Sequence, residues 1–345
     1  MKVQSERAAD RWTEYTLTND HGMSVSILDF GGIITRMLVP DRDGTLENIV
    51  LGYRDYADYQ DNPNYFGALI GRVAGRIRAA AFQLNDKIYE LDANNEENHL
   101  HGGPEGLHQV LWKAAPLQTE DTAGLKLTYR SENGEGGYPG NADITVTYQL
   151  NNHNQFSIHY SAVCDQATPM ALTNHTYFNL SGNLKDTVHD HYLTMDSSKF
   201  IELNDELIPT GSLLDVTDTP FDFRNRRRLG DGLNSVLEQN EIAGGGYDHH
   251  FIFDRAREAQ AILEEPASGR VMAVETNQPG MVLYTSNGLG EDLQLRETAS
   301  RKYLGVCFET QAPPAALHQS GLPTVTLKAG EEYDKTTVFS FSTAK

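Results

Sequence analysis

The sequence predicts an all-β fold in which large antiparallel sheets stack as a β-sandwich. Apolar residues alternate with polar ones, as at Ile144, Val146 and Tyr148, and this period of two is typical of half-buried strands. The polar turn at 151–154 separates that run from another at 156–160, which indicates a hairpin. Because long helices do not alternate with the strands, a parallel sheet is not expected.

The remaining elements follow from the same patterns. Two short helices are predicted, at 55–60 and 234–241, and neither is long enough to cover a parallel sheet. Polar turns are expected at 85–86 and 267–269. No linker, internal repeat or low-complexity segment interrupts the chain, so we predict a single domain over residues 1–345. Further strands are expected, in order, at 25–30, 82–84, 88–89, 125–129 and 335–342.

Composition and charge argue against several classes of function. The 345 residues are 39% hydrophobic and carry a net charge of −20, which opposes binding to nucleic acid or to acidic membrane surfaces. No apolar run approaches the roughly 20 residues that span a bilayer, and the first ten residues lack the apolar core of a secretory signal. The partner is therefore expected to be a small molecule.

The cysteines indicate the compartment. Cys164 and Cys307 are the two cysteines of the chain, and both lie in apolar strand patterns, so we expect small buried hydrophobic side chains rather than a disulfide framework. A reducing compartment follows, and we predict a cytoplasmic protein.

Two side chains are suited to moving protons near neutral pH. His175 lies between Asn174 and Thr176, which can hold an imidazole in one tautomer, although a hydrogen-bonded core histidine is an equal alternative. Glu309 follows the apolar strand residues 306–308, and a carboxylate there is costly to bury unless it is paired or used. An ionised Glu309 as base and a protonated His175 as acid would form a catalytic pair.

A metal site is an alternative. His99 and His101 would share one face of an extended segment, and this spacing is common among zinc ligands. His249 and His250 would point to opposite faces of a strand, so further ligands are hard to find, and we predict no metal. Gly102 and its glycine neighbour would let the backbone beside His101 approach a ligand closely.

Three further residues are candidates for binding. Arg76 lies in a glycine-punctuated loop, and its guanidinium suits hydroxyl groups or a carboxylate. Asp248 lies between Tyr247 and His249 and by itself would be unremarkable. Gln278 opens a predicted turn at 278–280, so a purely structural role stays open.

Together these segments resemble the aldose 1-epimerases, also called galactose mutarotases. The resemblance runs from about Tyr15 to Phe341 and implies the galactose-mutarotase-like supersandwich and interconversion of the α and β anomers of free aldohexoses. The segments that carry it, in the order of the family, are 66–74, 98–103, 173–180, 247–250, 278–280 and 309–311.

The resemblance also implies roles for individual residues. His175 falls on the general acid, His101 on a second histidine near the ring oxygen, and Glu309 on the general base. Positions that hold sugar hydroxyls correspond to Arg76, Asp248 and Gln278. No cofactor is implied. Many members have Asn before the site arginine, whereas this chain has Gly75, so a side-chain contact to the sugar is expected to be missing.

Other functions remain as alternatives. A glycoside hydrolase needs two facing carboxylates, for which Asp248 and Glu309 are available. A hexose-phosphate epimerase would need a phosphate clamp, and the basic segment 224–228 is the candidate. A non-catalytic sugar-binding protein would not need an acid opposite a base. We expect a monomer or homodimer, and the preferred aldose stays open.

Overall fold

A computed structural model describes residues 1–9 and 11–344 of the chain. Its strands, in chain order, are β1 (Lys2–Ala8), β2 (Trp12–Thr18), β3 (Ser24–Leu28), β4 (Ile34–Pro40), β5 (Leu46–Asn48), β6 (Leu69–Ile70), β7 (Arg76–Ile77), β8 (Ala81–Leu84), β9 (Lys87–Glu90), β10 (His99–Leu100), β11 (Lys113–Gln118), β12 (Thr122–Ser131), β13 (Ala142–Asn151), β14 (Gln155–Cys164), β15 (Thr168–Pro169), β16 (Thr173–Asn174), β17 (Tyr177–Phe178), β18 (Tyr192–Met195), β19 (Lys199–Leu203), β20 (Pro209–Asp215), β21 (Arg227–Arg228), β22 (Asp248–Ile252), β23 (Ala261–Glu264), β24 (Arg270–Thr276), β25 (Gly280–Tyr284), β26 (Val306–Gln311), β27 (Thr326–Leu327) and β28 (Glu332–Thr343).

Helices are short in the part of the chain that the structure describes. The α-helix α1 spans Glu238–Ile242 and overlaps the expected segment 234–241, beginning four residues later and ending one residue later. The other predicted helix is a 3₁₀ turn at Tyr56–Gln60, and Asp55 caps it by accepting a hydrogen bond from the Ala57 amide. Further 3₁₀ turns lie at Arg78–Ala80, Leu107–Gln109, Glu135–Gly137, Val188–Asp190, Leu229–Asp231 and Pro314–Leu317.

The two largest sheets are antiparallel, which confirms the predicted fold class. One sheet has nine strands in the order β11-β12-β13-β14-β28-β24-β23-β18-β21, and the other has six in the order β17-β26-β25-β22-β19-β20. The predicted hairpin is the pair β13 and β14, in which Leu150 lies opposite Phe156. Burial alternates along β13, and its buried side chains belong to the main hydrophobic core.

A second predicted turn is confirmed between β8 and β9. Asn85 and Asp86 both have positive φ, 50° and 61°, and this is the geometry of a two-residue hairpin loop that follows the strand twist. Asn and Asp tolerate that conformation better than most residues, so the local sequence determines the turn.

The six-stranded sheet presents a set of polar groups on one face. Glu309 of β26 lies opposite Val282 of β25, which lies opposite His250 of β22. Two residues away on the same strands, Cys307 and Asp248 lie in a second row. Because side chains alternate across a sheet, both rows point to the same side, and His249 points to the other side as the sequence predicts.

The structure bears on the predicted state of the cysteines and on the expected lack of membrane-spanning segments. Cys164 and Cys307 are both free and buried, as expected. Among the described residues, no helix combines the length and the apolar character needed to cross a membrane.

Candidate active site

The predicted site residues converge on a cavity of about 400 Å³. One of its walls is the polar face of the six-stranded sheet, and others come from loops that the short strands β7, β10 and β16 hold in place. Gln278 does not line this cavity. The five predicted residues that do are His101, His175, Glu309, Arg76 and Asp248.

The proton-transfer candidates lie side by side. Nε2 of His175 is 3.6 Å from Oε1 of Glu309, and both side chains are about 5% exposed. His175 follows the short strand β16, and its backbone is held by hydrogen bonds with Ala68 and Gly67. Glu309 is fixed in the middle of β26. The loop after β16 and the strand β26 therefore bring these two side chains together, although they are 134 residues apart in sequence.

Burial decides where the proton of this pair resides. Burial raises the pKa of Glu309 well above its usual value, and the charge of Asp248 adds to the rise while Arg76 opposes it. Burial also lowers the pKa of His175 to about 4. In the sugar-free pocket these shifts favour a protonated carboxyl and a neutral imidazole, whereas the sequence predicts a charged pair.

His101 is oriented by the backbone. The pairing of β7 with β10 places Leu100 opposite Arg76, so His101 lies beside Gly75, whose amide donates a 3.1 Å hydrogen bond to Nδ1 of His101. Burial, aided by the nearby His175, lowers the pKa of His101 well below its usual value. The neutral ring must then carry its proton on Nε2, which makes that nitrogen a hydrogen-bond donor.

Arg76 and Asp248 form a loose ion pair across the cavity. Nη1 of Arg76 is 3.7 Å from Oδ2 of Asp248, and each side chain is about one-fifth exposed. Nε of Arg76 also donates to Oδ1 of Asn95 at 2.9 Å. Burial raises the pKa of Asp248 to about 6 and Arg76 opposes this rise. Neither charge is saturated by the other, so both retain hydrogen-bonding capacity towards a ligand.

Gln278 occupies a different place from the other five residues. Its side chain is fully buried, and its amide donates to the hydroxyl of Tyr333 at 3.1 Å. The predicted contact of Gln278 with a sugar therefore has no geometric support, whereas the alternative structural role has. Gln311 of β26 lines the cavity instead. Among the described residues, the side-chain oxygen of Gln311 lacks a hydrogen-bond partner, as does that of Gln278.

The cavity also has an aromatic wall that was not predicted from the sequence. Tyr65 lines the cavity, and its ring centroid lies 4.8 Å from that of His101 and 5.9 Å from that of His175. No local motif marks this residue, although it lies immediately before the recognisable segment 66–74. Its contacts with two histidines depend on segments that meet only in the folded chain.

The alternative metal site at His99 and His101 is not formed. His99 is hydrogen-bonded through Nδ1 to the carbonyl of Asp92 and through Nε2 to the hydroxyl of Tyr138, so neither ring nitrogen of His99 is free to bind a metal.

Gly102 has a φ of +85°, and a Cβ there would lie 1.8 Å from the carbonyl oxygen of Gly71. This glycine therefore permits the close approach of two backbone segments rather than of a ligand.

A different set of groups could be considered for a metal ion. Donor atoms of His101, His175 and Glu309 lie within 4.8 Å of one another. However, the Gly75 amide occupies Nδ1 of His101 and leaves a proton on Nε2. Metal ligation through Nε2 would move that proton to Nδ1, where it would face an N–H group. The orientation of His101 therefore favours hydrogen-bond donation over metal binding.

Comparison with known proteins identifies the family. The family model described as aldose 1-epimerase matches residues 13–340. The chain belongs to the aldose 1-epimerase family. The chain is 40% identical to a galactose mutarotase of Sus scrofa over 334 residues, which are 96% of this chain and 94% of the relative. It is 31% identical to a maltose epimerase of Levilactobacillus brevis, with coverage of 96% and 95%.

Solved structures of related proteins have the same fold as this chain. The crystal structure of galactose 1-epimerase from Lactobacillus acidophilus matches this chain with a TM-score of 0.89 and 32% identity, and each chain is covered completely. A homologue from C. elegans matches with a TM-score of 0.86 and 28% identity over 99% of this chain and all of its own. The predicted galactose-mutarotase-like supersandwich is therefore confirmed, and the protein is an isomerase.

Proposed function

We propose that this protein interconverts the α and β anomers of free aldohexoses, with Glu309 as general base and His175 as general acid. The observation that carries the proposal is the 3.6 Å approach of Nε2 of His175 to Oε1 of Glu309 inside a buried cavity. A hemiacetal that opens must lose a proton from the anomeric hydroxyl and gain one at the ring oxygen. One positioned base and one positioned acid meet this requirement.

The pair reaches its reactive form by a short proton transfer. In the sugar-free pocket one proton can exchange between Glu309 and Nε2 of His175, and burial favours its position on Glu309. Transfer of this proton to Nε2 of His175 creates a carboxylate and an imidazolium without changing the net charge. Hydroxyl groups of a bound sugar can stabilise both charges, which water does not reach freely in this cavity.

Ring opening then follows in one step. Glu309 takes the proton of the anomeric hydroxyl while His175 gives its Nε2 proton to the ring oxygen, and the bond from C1 to the ring oxygen breaks. The aldehyde turns about the C1–C2 bond and closes on its other face as both protons return. No electron acceptor or covalent intermediate is needed, and each positioned group contributes roughly 10²–10⁴-fold.

Three other residues are assigned to sugar binding. His101 donates a hydrogen bond from Nε2–H to the ring oxygen and keeps that proton, while His175 transfers its own proton to the same oxygen. The guanidinium of Arg76 donates to sugar hydroxyls, and the carboxylate of Asp248 accepts from them. Support for these roles is their common position on the cavity wall and the incomplete ion pair between Arg76 and Asp248.

A sugar phosphate fits this cavity less well. Among the described residues that line it, Arg76 alone has a permanently cationic side chain, and Asp248 faces that cation. The basic segment 224–228 does not line the cavity. Its four arginines pair with carboxylates: Arg224 with Asp222, Arg226 with Glu264, Arg227 with Asp231, and Arg228 with Asp190. Neutral sugars are therefore the better substrates.

Polarimetry tests the proposal. Freshly dissolved α-glucose and α-galactose should reach their equilibrium rotation faster with the protein, and the final rotation should stay the same. Activity should survive dialysis against a chelator. Failure to accelerate either sugar would contradict the proposal, whereas activity lost with chelator and restored by zinc would contradict the metal-free mechanism.

A further inference from the structure

One strand supplies the groups on both sides of the His175 ring. Glu309 faces Nε2, and Cys307, two residues earlier on the same face of β26, places Sγ 3.6 Å from Nδ1. Glu309 lines the cavity whereas Cys307 does not, and the thiol is fully buried. The sulfur therefore touches the side of the imidazole that a sugar cannot reach.

The chemistry of the two flanking groups determines the tautomer of His175. Burial raises the pKa of the Cys307 thiol well above its usual value, so the thiol stays neutral and its sulfur keeps lone pairs that accept weak hydrogen bonds. A carboxyl proton on Glu309 needs an acceptor, and Nε2 is the nitrogen that faces it. A neutral imidazole with a lone pair on Nε2 carries its hydrogen on Nδ1, where the sulfur lies.

We propose that Cys307 is a positioning residue whose sulfur accepts the Nδ1–H of His175 and thereby reserves Nε2 for proton exchange with Glu309 and with the ring oxygen of the sugar. The role in proton exchange rests on the proposed function, whereas the contact itself does not. Nδ1 keeps its hydrogen when the ring gives up its Nε2 proton, so the same contact persists throughout ring opening and closure.

A thiol suits this position better than a stronger acceptor would. A carboxylate beside Nδ1 would favour the imidazolium strongly, which would make His175 a poor donor to an ether-like oxygen. A purely apolar neighbour would leave the Nδ1–H unsatisfied in a buried site. The weak acceptor orients the ring and leaves its acidity high.

Two substitutions and a matched control test the proposal. Cys307→Ala removes the acceptor, and kcat should fall by about two- to tenfold, the rate equivalent of one neutral hydrogen bond, with KM nearly unchanged. Cys307→Ser keeps an acceptor at nearly the same place and should recover most of kcat. Cys164 is also fully buried and does not line the cavity, so Cys164→Ala loses the same sulfur volume and should retain kcat.

Nuclear magnetic resonance of ¹⁵N-labelled histidine separates positioning from packing. Sugar-free wild-type protein should show His175 with hydrogen on Nδ1, and Cys307→Ala should shift it towards the Nε2–H tautomer. A wild-type Nε2–H tautomer, or a loss of kcat in Cys307→Ala without a change of tautomer, would overturn the proposal. A wild-type protein with the expected tautomer but no epimerase activity would instead overturn the proposed function and leave the contact standing.

Discussion

The amide of Gly75 donates a 3.1 Å hydrogen bond to Nδ1 of His101, so the residue before the site arginine orients a histidine through its backbone. Gly75 has a φ of +84°, and a Cβ added there would lie 3.0 Å from Cγ of Pro314. Glycine is therefore favoured at position 75, because any side chain there would strain the backbone and crowd Pro314. The substitution Gly75→Asn would restore the missing contact and lower KM only if residue 75 had negative φ. The observed φ of +84° does not meet this condition.

Gly75→Ala should raise KM and lower kcat, because the added Cβ pushes the loop away from Pro314 and displaces the amide that holds His101. Gly44 has a similar φ of +82°, and a Cβ added there would meet open space, so Gly44→Ala is the matched control. Both variants should lose about 1–2 kcal/mol of stability from the left-handed backbone. Equal kinetics in the two variants would contradict the orienting role of Gly75.

Glu309→Gln should lower kcat by about two to four decades while sugar binding persists, because the amide keeps the shape of the base without its proton affinity. Steady-state polarimetry and a separate binding titration measure the two effects. Glu297, a partly buried glutamate that accepts from Asn48 outside the cavity, provides the control Glu297→Gln. Near-wild-type turnover in Glu309→Gln would show that Glu309 is structural.

His175→Asn should do comparable damage, and the double variant with Glu309→Gln should be little worse than either single variant, since both proton transfers belong to one step. His191 is equally buried, and its Nε2 accepts a hydrogen bond from the Leu180 amide away from the cavity. His191→Asn should therefore change stability more than turnover. Fully additive losses in the double variant would argue against a concerted pair.

Arg76→Met should raise KM with a smaller loss of kcat than Glu309→Gln produces, because Arg76 is assigned to holding the sugar rather than to moving protons. Arg78 lies two residues away and is exposed, so Arg78→Met controls for the loss of one positive charge from this region. The reverse ranking, with kcat affected more than KM, would mean that Arg76 takes part in the chemical step.

Asp248→Asn should gain stability relative to the wild type as the pH rises from about 4 to about 7. Burial raises the pKa of Asp248 from 3.8 to about 6, so in this range the folded protein binds a proton that the unfolded chain has lost. Stability therefore falls as pH rises through this window, by up to about 3 kcal/mol, and remains lower above it. Chemical unfolding of both proteins across the range measures the difference. A difference that does not vary with pH would contradict the raised pKa.

Local sequence was sufficient for the strands and turns. The β13–β14 hairpin follows from alternating burial and a four-residue polar turn, and the β8–β9 turn follows from Asn85 and Asp86, which accept positive φ. These features depend on neighbours within a few residues, so the pattern of side chains predicts them. The start of α1 was predicted four residues too early because no side-chain cap marks it.

Membership of the site was only partly predictable. Motifs identified His175, Glu309, His101, Arg76 and Asp248, which all reach the cavity, but they also suggested Gln278. Tertiary packing turns Gln278 towards Tyr333, and it brings Gln311 and Tyr65 to the cavity instead. A motif indicates which residues are candidates for the site, whereas the direction in which each side chain points depends on the strands packed around it.

The sequence by itself determined that the chain forms antiparallel sheets and carries His175, Glu309 and further polar residues as candidates for acid, base and ligand-binding roles. Tertiary structure alone decided which atoms face one another: Nε2 of His175 towards Glu309, its Nδ1 towards Cys307, and Nδ1 of His101 towards the Gly75 amide. It also decided where protons reside, because the pKa of a side chain depends on burial and on charges that are remote in sequence. Residue types are a property of the chain, but their distances and desolvation arise only when distant strands pack together.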